Sequence, residues 1–335
     1  MTEARPLPDL VELPAIRAAS ATLRGIAVRT PLVPFGPPER HEWLKAESLQ
    51  PIGAFKIRGA YTAAAALRPD ERARGLITYS SGNHAQGVAR AARLFGVAAV
   101  IVMPSDAPAL KRARVEADGA EVVTVGAASD ERRRVAEQIA ADRGLAIIPP
   151  YDDPRIVAGQ GTAGLEIAED MPDVAAVLMP IGGGGLAAGV AAAITALAPH
   201  ARLIGVEPEL AADARQSLAE DRIVAWPADL VSRTIADGTR TQSIGRLTFA
   251  HLRAQLDAIV TVSEAEIAAA VRLAAEEARL VVEPSGALPI AAMRFHAVEA
   301  GLRDLTGPIV GVVSGGNVDP DRYRAYLDAP IPPAG

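Results

Sequence analysis

Residues 76–148 read as strand, helix, strand, helix, strand, helix, strand, and this alternation restricts the fold more than any other feature of the chain. Short β-rich runs at 76–79, 98–103, 121–125 and 145–148 are separated by Ala-rich stretches at 85–95, 109–117 and 130–142 with apolar residues at helical spacing. Strict alternation calls for parallel strands joined by crossover helices that cover the sheet. Pro149 and Pro150 interrupt the series. A second one follows, with a helix around 163–169, a strand at 174–180, a helix at 186–198 and a strand at 202–206. Before the first series, 14–28 carries Ile16, Leu23 and Ile26 at helical spacing, and 42–46 reads as a short strand. Residues 211–258 are less regular. Ser263 and Glu266 form a capping box whose helix is expected to run to about Val282, where Pro284 stops it. A helix at 288–300 and a strand at 309–313 complete the pattern. The prediction is an α/β protein of two three-layer domains with mostly parallel sheets. The smaller, 68–149, is inserted in a larger one made of 1–67 and 150–335.

Composition narrows the function. Half of the 335 residues are hydrophobic, enough for a buried core. The absence of cysteine excludes disulfides, thiolate metal sites and cysteine nucleophiles, and fits a reducing compartment, so a cytoplasmic location is expected. No segment is long and apolar enough for a membrane span, and the N-terminus lacks a signal-peptide core. A net charge of −6 with no basic arm argues against nucleic acid as a partner. The run Arg132, Arg133, Arg134 reads as a solvated helix face. A small metabolite is the expected ligand.

Three glycine-bearing turns each follow a predicted strand, where parallel α/β proteins bind ligands against helix N-termini. In Ser80-Ser81-Gly82-Asn83-His84 the following helix offers its positive end to a carboxylate, although the same residues also make an ordinary helix cap. Gly182, Gly183, Gly184 and Gly185 permit close backbone approach to a phosphate cradled by N–H groups. Gly182, Gly184 and Ala187 also fit a dinucleotide fingerprint, with Glu207 about twenty residues on as a ribose-binding acid, so a nicotinamide-dependent dehydrogenase stays open. The third turn, Ser314-Gly315-Gly316-Asn317, joins a serine hydroxyl to glycines that let a flat ring approach.

Lys56 completes the set. The chain has only Lys45, Lys56 and Lys111 as lysines, and Lys56 stands between Phe55 and Ile57. Apolar surroundings strip hydration from an amine, lower its pKa and make it a nucleophile toward carbonyls. The same pattern also suits a lysine whose stem covers apolar surface. An activated amine, a phosphate cup, a carboxylate-binding helix end and a serine near a ring nitrogen together are what a pyridoxal phosphate site acting on an amino acid requires. A dehydrogenase accounts for the second turn alone, and a catalytically dead binding protein leaves Lys56 without a purpose.

In order and spacing, LKAESLQPIGAFKIRGA, SSGNHAQGVA, YDDPRIVAGQGTAGLEI, GGGGL, EPSGA and SGGN resemble the threonine dehydratase and serine racemase family of fold-type II pyridoxal phosphate enzymes, over about residues 16–326. The resemblance implies a tryptophan synthase β-like fold and a homodimer. It implies a Schiff base on Lys56, the cofactor ring near Phe55, its phenolic oxygen held by Asn83, its phosphate in Gly182, Gly183, Gly184, Gly185 and Leu186, and its pyridine nitrogen at Ser314. Glu283 is expected near the ring, and Ser81, Gly82, Asn83 and His84 at the substrate carboxylate. Ser81 also stands where the racemase returns a proton opposite the lysine. The activity implied is β-elimination from L-threonine or L-serine to a 2-keto acid and ammonia, with serine racemisation and 3-hydroxyaspartate dehydration as alternatives. An aspartate-like substrate needs a second cationic contact, for which Arg132 and Arg155 are candidates.

Glu207, the backbone oxygen of Ala211 and Asp213 match positions that bind a divalent cation in the racemase branch, and oxygen ligands suit Mg2+ or Ca2+. A strand-end glutamate beside surface acids reads the same way. Two departures stand out: Ala54 replaces the usual serine before Phe55, and Pro149 and Pro150 replace the usual His-Pro before Tyr151. A C-terminal amino-acid-sensing domain is not expected.

Overall fold

The computed structural model describes residues 6–80, 82–105, 107, 109–126 and 129–333. Two sheets form. The first has four parallel strands in the order β5-β4-β3-β6, where β3 is Leu76–Tyr79, β4 Ala99–Pro104, β5 Glu121–Val125 and β6 Ala146–Ile147. It is drawn wholly from the alternating stretch. The second has six strands in the order β1-β2-β10-β7-β8-β9: β1 Leu32–Phe35, β2 Glu42–Ala46, β7 Ala176–Pro180, β8 Arg202–Pro208, β9 Ala258–Val262 and β10 Ile309–Val313. Only β1 is antiparallel, pairing Leu32 with Lys45. The predicted α/β class with mostly parallel sheets is what the chain adopts.

Burial explains why the central strands lack alternation. Every residue of β7 and β10 is buried, because helices cover both faces. Each fully buried Val, Leu or Ile there stabilises the fold by about 1.5–3 kcal/mol. In chain order the helices are α1 Leu13–Thr22, α2 Lys56–Ala65, α3 Pro69–Ala73, α4 Asn83–Phe95, α5 Ala109–Ala117, α6 Ser129–Arg143, α7 Pro154–Asp170, α8 Gly185–Leu197, α9 Asp213–Ala219, α10 Ala228–Val231, α11 Arg246–Gln255, α12 Glu264–Ala278, α13 Pro284–Phe295 and α14 Pro320–Leu327. The helices α7 and α8 touch backbone to backbone: a Cβ on Gly189 would lie 2.3 Å from the Val157 oxygen.

Several boundaries differ from the sequence reading. The helix expected around 163–169 starts at Pro154, since Asp153 caps it by accepting from the Arg155 amide at 2.8 Å. Its glycines weaken the helical signal that packing then overrides. The Ser263 box forms, but α12 ends at Ala278 with Arg279 left-handed at φ 61°. Pro284 does not stop that helix. It opens α13, where its missing N–H costs nothing. The first helix is shorter than 14–28, and β1 and β9 escape the sequence reading because each adjoins loop-like residues, β1 before Gly36, Pro37 and Pro38 and β9 at the end of the irregular 211–258 stretch.

Candidate active site

Lys56 is the first residue of α2. The turn before it is set by Gly53, at φ +72°, where a Cβ would lie 2.4 Å from Asn317 Oδ1. The Phe55 amide then donates to the Ser314 oxygen at 3.0 Å, and Ala54 bridges Gly315. The lysine segment is thus stitched to the third glycine turn. Ala54 is fully buried, so its methyl needs no polar partner where a serine hydroxyl would. Lys56 Nζ donates to the Pro150 oxygen at 2.8 Å and lies 5.1 Å from the centre of the Phe55 ring. Its side chain is partly exposed, yet burial lowers the amine pKa to about 8.

Asn83, at the start of α4, meets Glu283 and Asn317 across the cleft. Its Nδ2 donates to Glu283 Oε1 at 2.6 Å, and its Oδ1 accepts from Asn317 Nδ2 at 2.8 Å. Burial, reinforced by the charge of Asp237, pushes the Glu283 carboxyl up to about 7, and its Oε2 is buried without a partner among the described residues. The Glu283 amide donates to the Gly315 oxygen at 3.0 Å, and Ser314 is buried on the same turn. The structure therefore brings Lys56, Asn83, Glu283 and Ser314 together. Ser81 lies outside the described residues. Gly82 precedes α4, and His84 turns its ring away: Nε2 sits 3.0 Å from the Ile148 oxygen, and burial, helped by the charge of Lys56, lowers its pKa to about 3. What His84 can offer a carboxylate is its amide at the helix end, not its ring.

The second turn is enclosed on several sides. A Cβ on Gly183 would lie 2.2 Å from the Tyr151 ring, one on Gly182 3.0 Å from Thr239, and one on Gly184, at φ +87°, 2.8 Å from Thr248. Gly185 begins α8, so the first amides of that helix have no intrahelical acceptor. The Leu186 side chain belongs to the core, leaving its backbone to the turn. Such a turn can hold a phosphate.

A profile of the family described as "Pyridoxal-phosphate dependent enzyme" matches residues 23–315. The chain belongs to this family. It is 43% identical over 286 residues to an L-threo-3-hydroxyaspartate ammonia-lyase of Saccharomyces cerevisiae, covering 85% of each chain. To an L-threonine ammonia-lyase of Geobacter sulfurreducens it is 43% identical over 293 residues, covering 88% of this chain and 71% of that one. The solved structure of maize serine racemase superposes with a TM-score of 0.89 at 34% identity, over 95% of this chain and 97% of that one. The fold is thus that of the fold-type II enzymes.

Membership makes pyridoxal phosphate the cofactor, and the residues fit it: a crowded amine of lowered pKa, a glycine turn at a helix end, and a serine hydroxyl at a strand end. The dinucleotide reading fails at Glu207. That side chain is fully buried, and its oxygens accept from the Ala214 amide at 3.0 Å and the Arg215 amide at 2.8 Å, so it cannot reach a ribose.

Sequence reasoning missed the polar cluster that supports Lys56. Arg58 is buried and grips Glu47, with Nε–Oε2 at 2.7 Å and Nη2–Oε1 at 2.8 Å, and Glu166, with Nη1–Oε1 at 2.6 Å and Nη2–Oε2 at 2.8 Å. Lys45 Nζ joins at 2.6 Å from Glu166 Oε2. Burial opposes the charge of Glu47, but Arg58 and Lys45 hold its pKa below the usual carboxylate range. The one advance signal is an odd one: Lys45 is a charge inside the β-run 42–46. The third lysine, Lys111 of α5, pairs with Asp237, linking the four-stranded sheet's side of the cleft to the loop beside Gly182.

Proposed function

We propose that the protein is an ammonia-lyase that eliminates the β-hydroxyl of L-threonine or L-serine, giving a 2-keto acid and ammonia. The observation that carries this reading is Lys56: a single desolvated amine where three strand-end turns converge. Bound pyridoxal phosphate supplies the electron sink for the charge left at Cα. Lys56 removes the Cα proton, and a pKa of about 8 leaves a useful fraction of its amine neutral near pH 7. Gly182, Gly183, Gly184, Gly185 and Leu186 hold the phosphate by backbone amides, and Asn83 orients the ring through its amide. Gly82, Asn83 and His84 would bind the substrate carboxylate at the α4 N-terminus, and Ser81, which lies outside the described residues, is proposed to join that set. Ser314 would meet the ring nitrogen with a neutral hydroxyl rather than a carboxylate, which would not favour its protonation and so would favour elimination over transamination. Glu283 fixes Asn83.

A second reading, elimination from a 3-hydroxyaspartate, is supported by the 43% identity to the L-threo-3-hydroxyaspartate ammonia-lyase and needs a second cationic contact, for which Arg132 and Arg155 are the candidates. Arg155 is a poorer candidate because Asp153 neutralises it at 2.6 Å. Serine racemisation through Ser81 stays within the same site.

The proposal includes a divalent cation at Glu207, Asp213 and the Ala211 oxygen. Asp213 is buried, neither carboxylate oxygen has a hydrogen-bond partner among the described residues, and burial raises its pKa to about 7. Burial and the charge of Asp213 also raise Glu207 well above its usual range. A hard cation such as Mg2+ or Ca2+ relieves both, with water completing its shell, since no group of three His, Asp or Glu side chains gathers among the described residues. Domain boundaries at 68 and 149 are supported by the four-stranded sheet lying within that range. We further propose a cytoplasmic homodimer; no helix among the described residues is long and apolar enough to cross a membrane.

The test is one purified sample. Visible cofactor absorbance, and borohydride labelling of Lys56 located by mass spectrometry, are expected. Keto-acid release from L-threonine, L-serine and L-threo-3-hydroxyaspartate, with chiral analysis of residual serine, then ranks the substrates. A colourless protein that takes up no pyridoxal phosphate defeats the proposal.

A further inference from the structure

The glycine turn proposed to receive the phosphate is shaped from behind by Asp152 and Thr248. Asp152 follows Tyr151, whose ring walls Gly183, but its own carboxylate turns to α11. Asp152 Oδ1 accepts from the Leu247 amide at 2.9 Å and the Thr248 amide at 3.3 Å, and Oδ2 from the Arg246 amide at 3.0 Å. A helix whose N-cap is Gly245, without a side chain to cap it, is thus capped from 94 residues away. Gly245 is glycine for that reason, since a Cβ there would lie 2.1 Å from Asp152 Cγ.

The capped turn places Thr248, fully buried, against the glycine turn. Its hydroxyl accepts from the Gly245 amide at 2.9 Å, leaving one proton to donate. The Gly183 oxygen takes it at 2.8 Å; the Gly245 oxygen, at 3.2 Å, already accepts from the Phe249 amide. A trans peptide carries its C=O and the following N–H on opposite sides. Tethering the Gly183 carbonyl to Thr248 therefore turns the Gly184 N–H away from α11. Between two glycines nothing intrinsic prevents the peptide from flipping, and a flip would aim the carbonyl where the amide now points. An anion there would then meet an acceptor in place of a donor.

We propose that Thr248, set by Asp152, is a positioning residue for the cofactor phosphate: it locks the Gly183–Gly184 peptide with the Gly184 amide toward the anion. The inference rests on the reading of this turn as the phosphate site. Its test is the dissociation constant for pyridoxal 5′-phosphate beside that for pyridoxal, which lacks the phosphate, each by absorbance titration of the cofactor-free protein. Thr248→Val, which keeps the shape and loses the hydroxyl, is expected to weaken pyridoxal phosphate about ten-fold, one hydrogen bond's worth, while pyridoxal is unchanged; Thr248→Ser restores the wild-type value. Equal weakening of both ligands, or unchanged pyridoxal phosphate affinity, overturns the proposal. If Thr248→Val does not fold, the two titrations are made on Asp152→Asn, which loses one acceptor of the cap. Selective weakening of pyridoxal phosphate in that variant supports the lock, and equal weakening of both ligands or none overturns it. A wild-type protein that binds pyridoxal but shows no added affinity for its phosphate ester defeats the phosphate-site reading itself.

Discussion

Replacing Arg58 by methionine tests whether the buried ion cluster holds the lysine segment in place. Arg58 and Glu47 have relative exposures of 1% and 0%, and Glu166 is also buried. Methionine fills most of the volume but removes four charged contacts of 2.6–2.8 Å. Lys45 alone then faces two buried carboxylates. Breaking a buried pair by removing one partner costs about 3–5 kcal/mol, because the remaining charge is stranded. A chain of this size loses a few degrees of Tm per kcal/mol, so a fall on the order of 10 °C is expected at neutral pH. The pH dependence is more specific. In the wild type the folded pKa of Glu47 is depressed, so its contribution is present above the unfolded value and is lost as pH falls through the folded one. Without Arg58, burial raises that pKa instead, and the carboxyl is costly only while ionised. The deficit of Arg58→Met is therefore widest at neutral pH and narrows toward pH 4. Thermal unfolding followed by circular dichroism at several pH values measures both curves. A Tm within 2 °C of wild type at pH 7, or a deficit that widens in acid, would refute the reasoning.

Three further outcomes follow from the site. Cofactor attachment to the cofactor-free protein needs the neutral amine of Lys56, so its rate should rise with pH through about 8, as stopped-flow absorbance would record, and Lys56→Ala should show no attachment at any pH. Asp213 has a folded pKa raised to about 7 and that of Glu207 is raised as well, so stability without added cation should fall as pH rises from the ordinary carboxylate range through the Asp213 value. Millimolar Ca2+ or Mg2+ should raise Tm in the wild type and not in Asp213→Asn; an equal rise in both removes the cation site. Glu283→Gln keeps a carbonyl acceptor for Asn83 but does not titrate, so an inflection near pH 7 in kcat/KM present in the wild type should vanish. If it persists, another group is responsible.

Much of the fold was legible because its signals are local. The β/α alternation over 76–148, the glycines after strands and the Ser263 box each depend on neighbours a few residues apart, and each led to the right element. The errors share one cause. Pro284 reads alike as a stop or a start, β9 borders the irregular 211–258 stretch, and the first half of α7 is glycine-rich; packing decided all three. For the site, a lysine among apolar neighbours and three turns pointed to one chemistry, and the family match agrees with it.

What the sequence alone determined, then, was the parallel α/β class and the kind of chemistry, because periodicity, turn residues and a desolvated amine are properties of short stretches. Tertiary structure alone decided how the charges are used. Of the three lysines, Lys45 is buried against Glu166, Lys56 stands at the convergence of the turns, and Lys111 pairs with Asp237, fates that composition does not distinguish. Asp152 caps a helix 94 residues away, and Asn83 meets a glutamate 200 residues on. Partners so distant leave no periodic trace in the chain, since only the packing of the two sheets and their helices brings them within hydrogen-bonding distance.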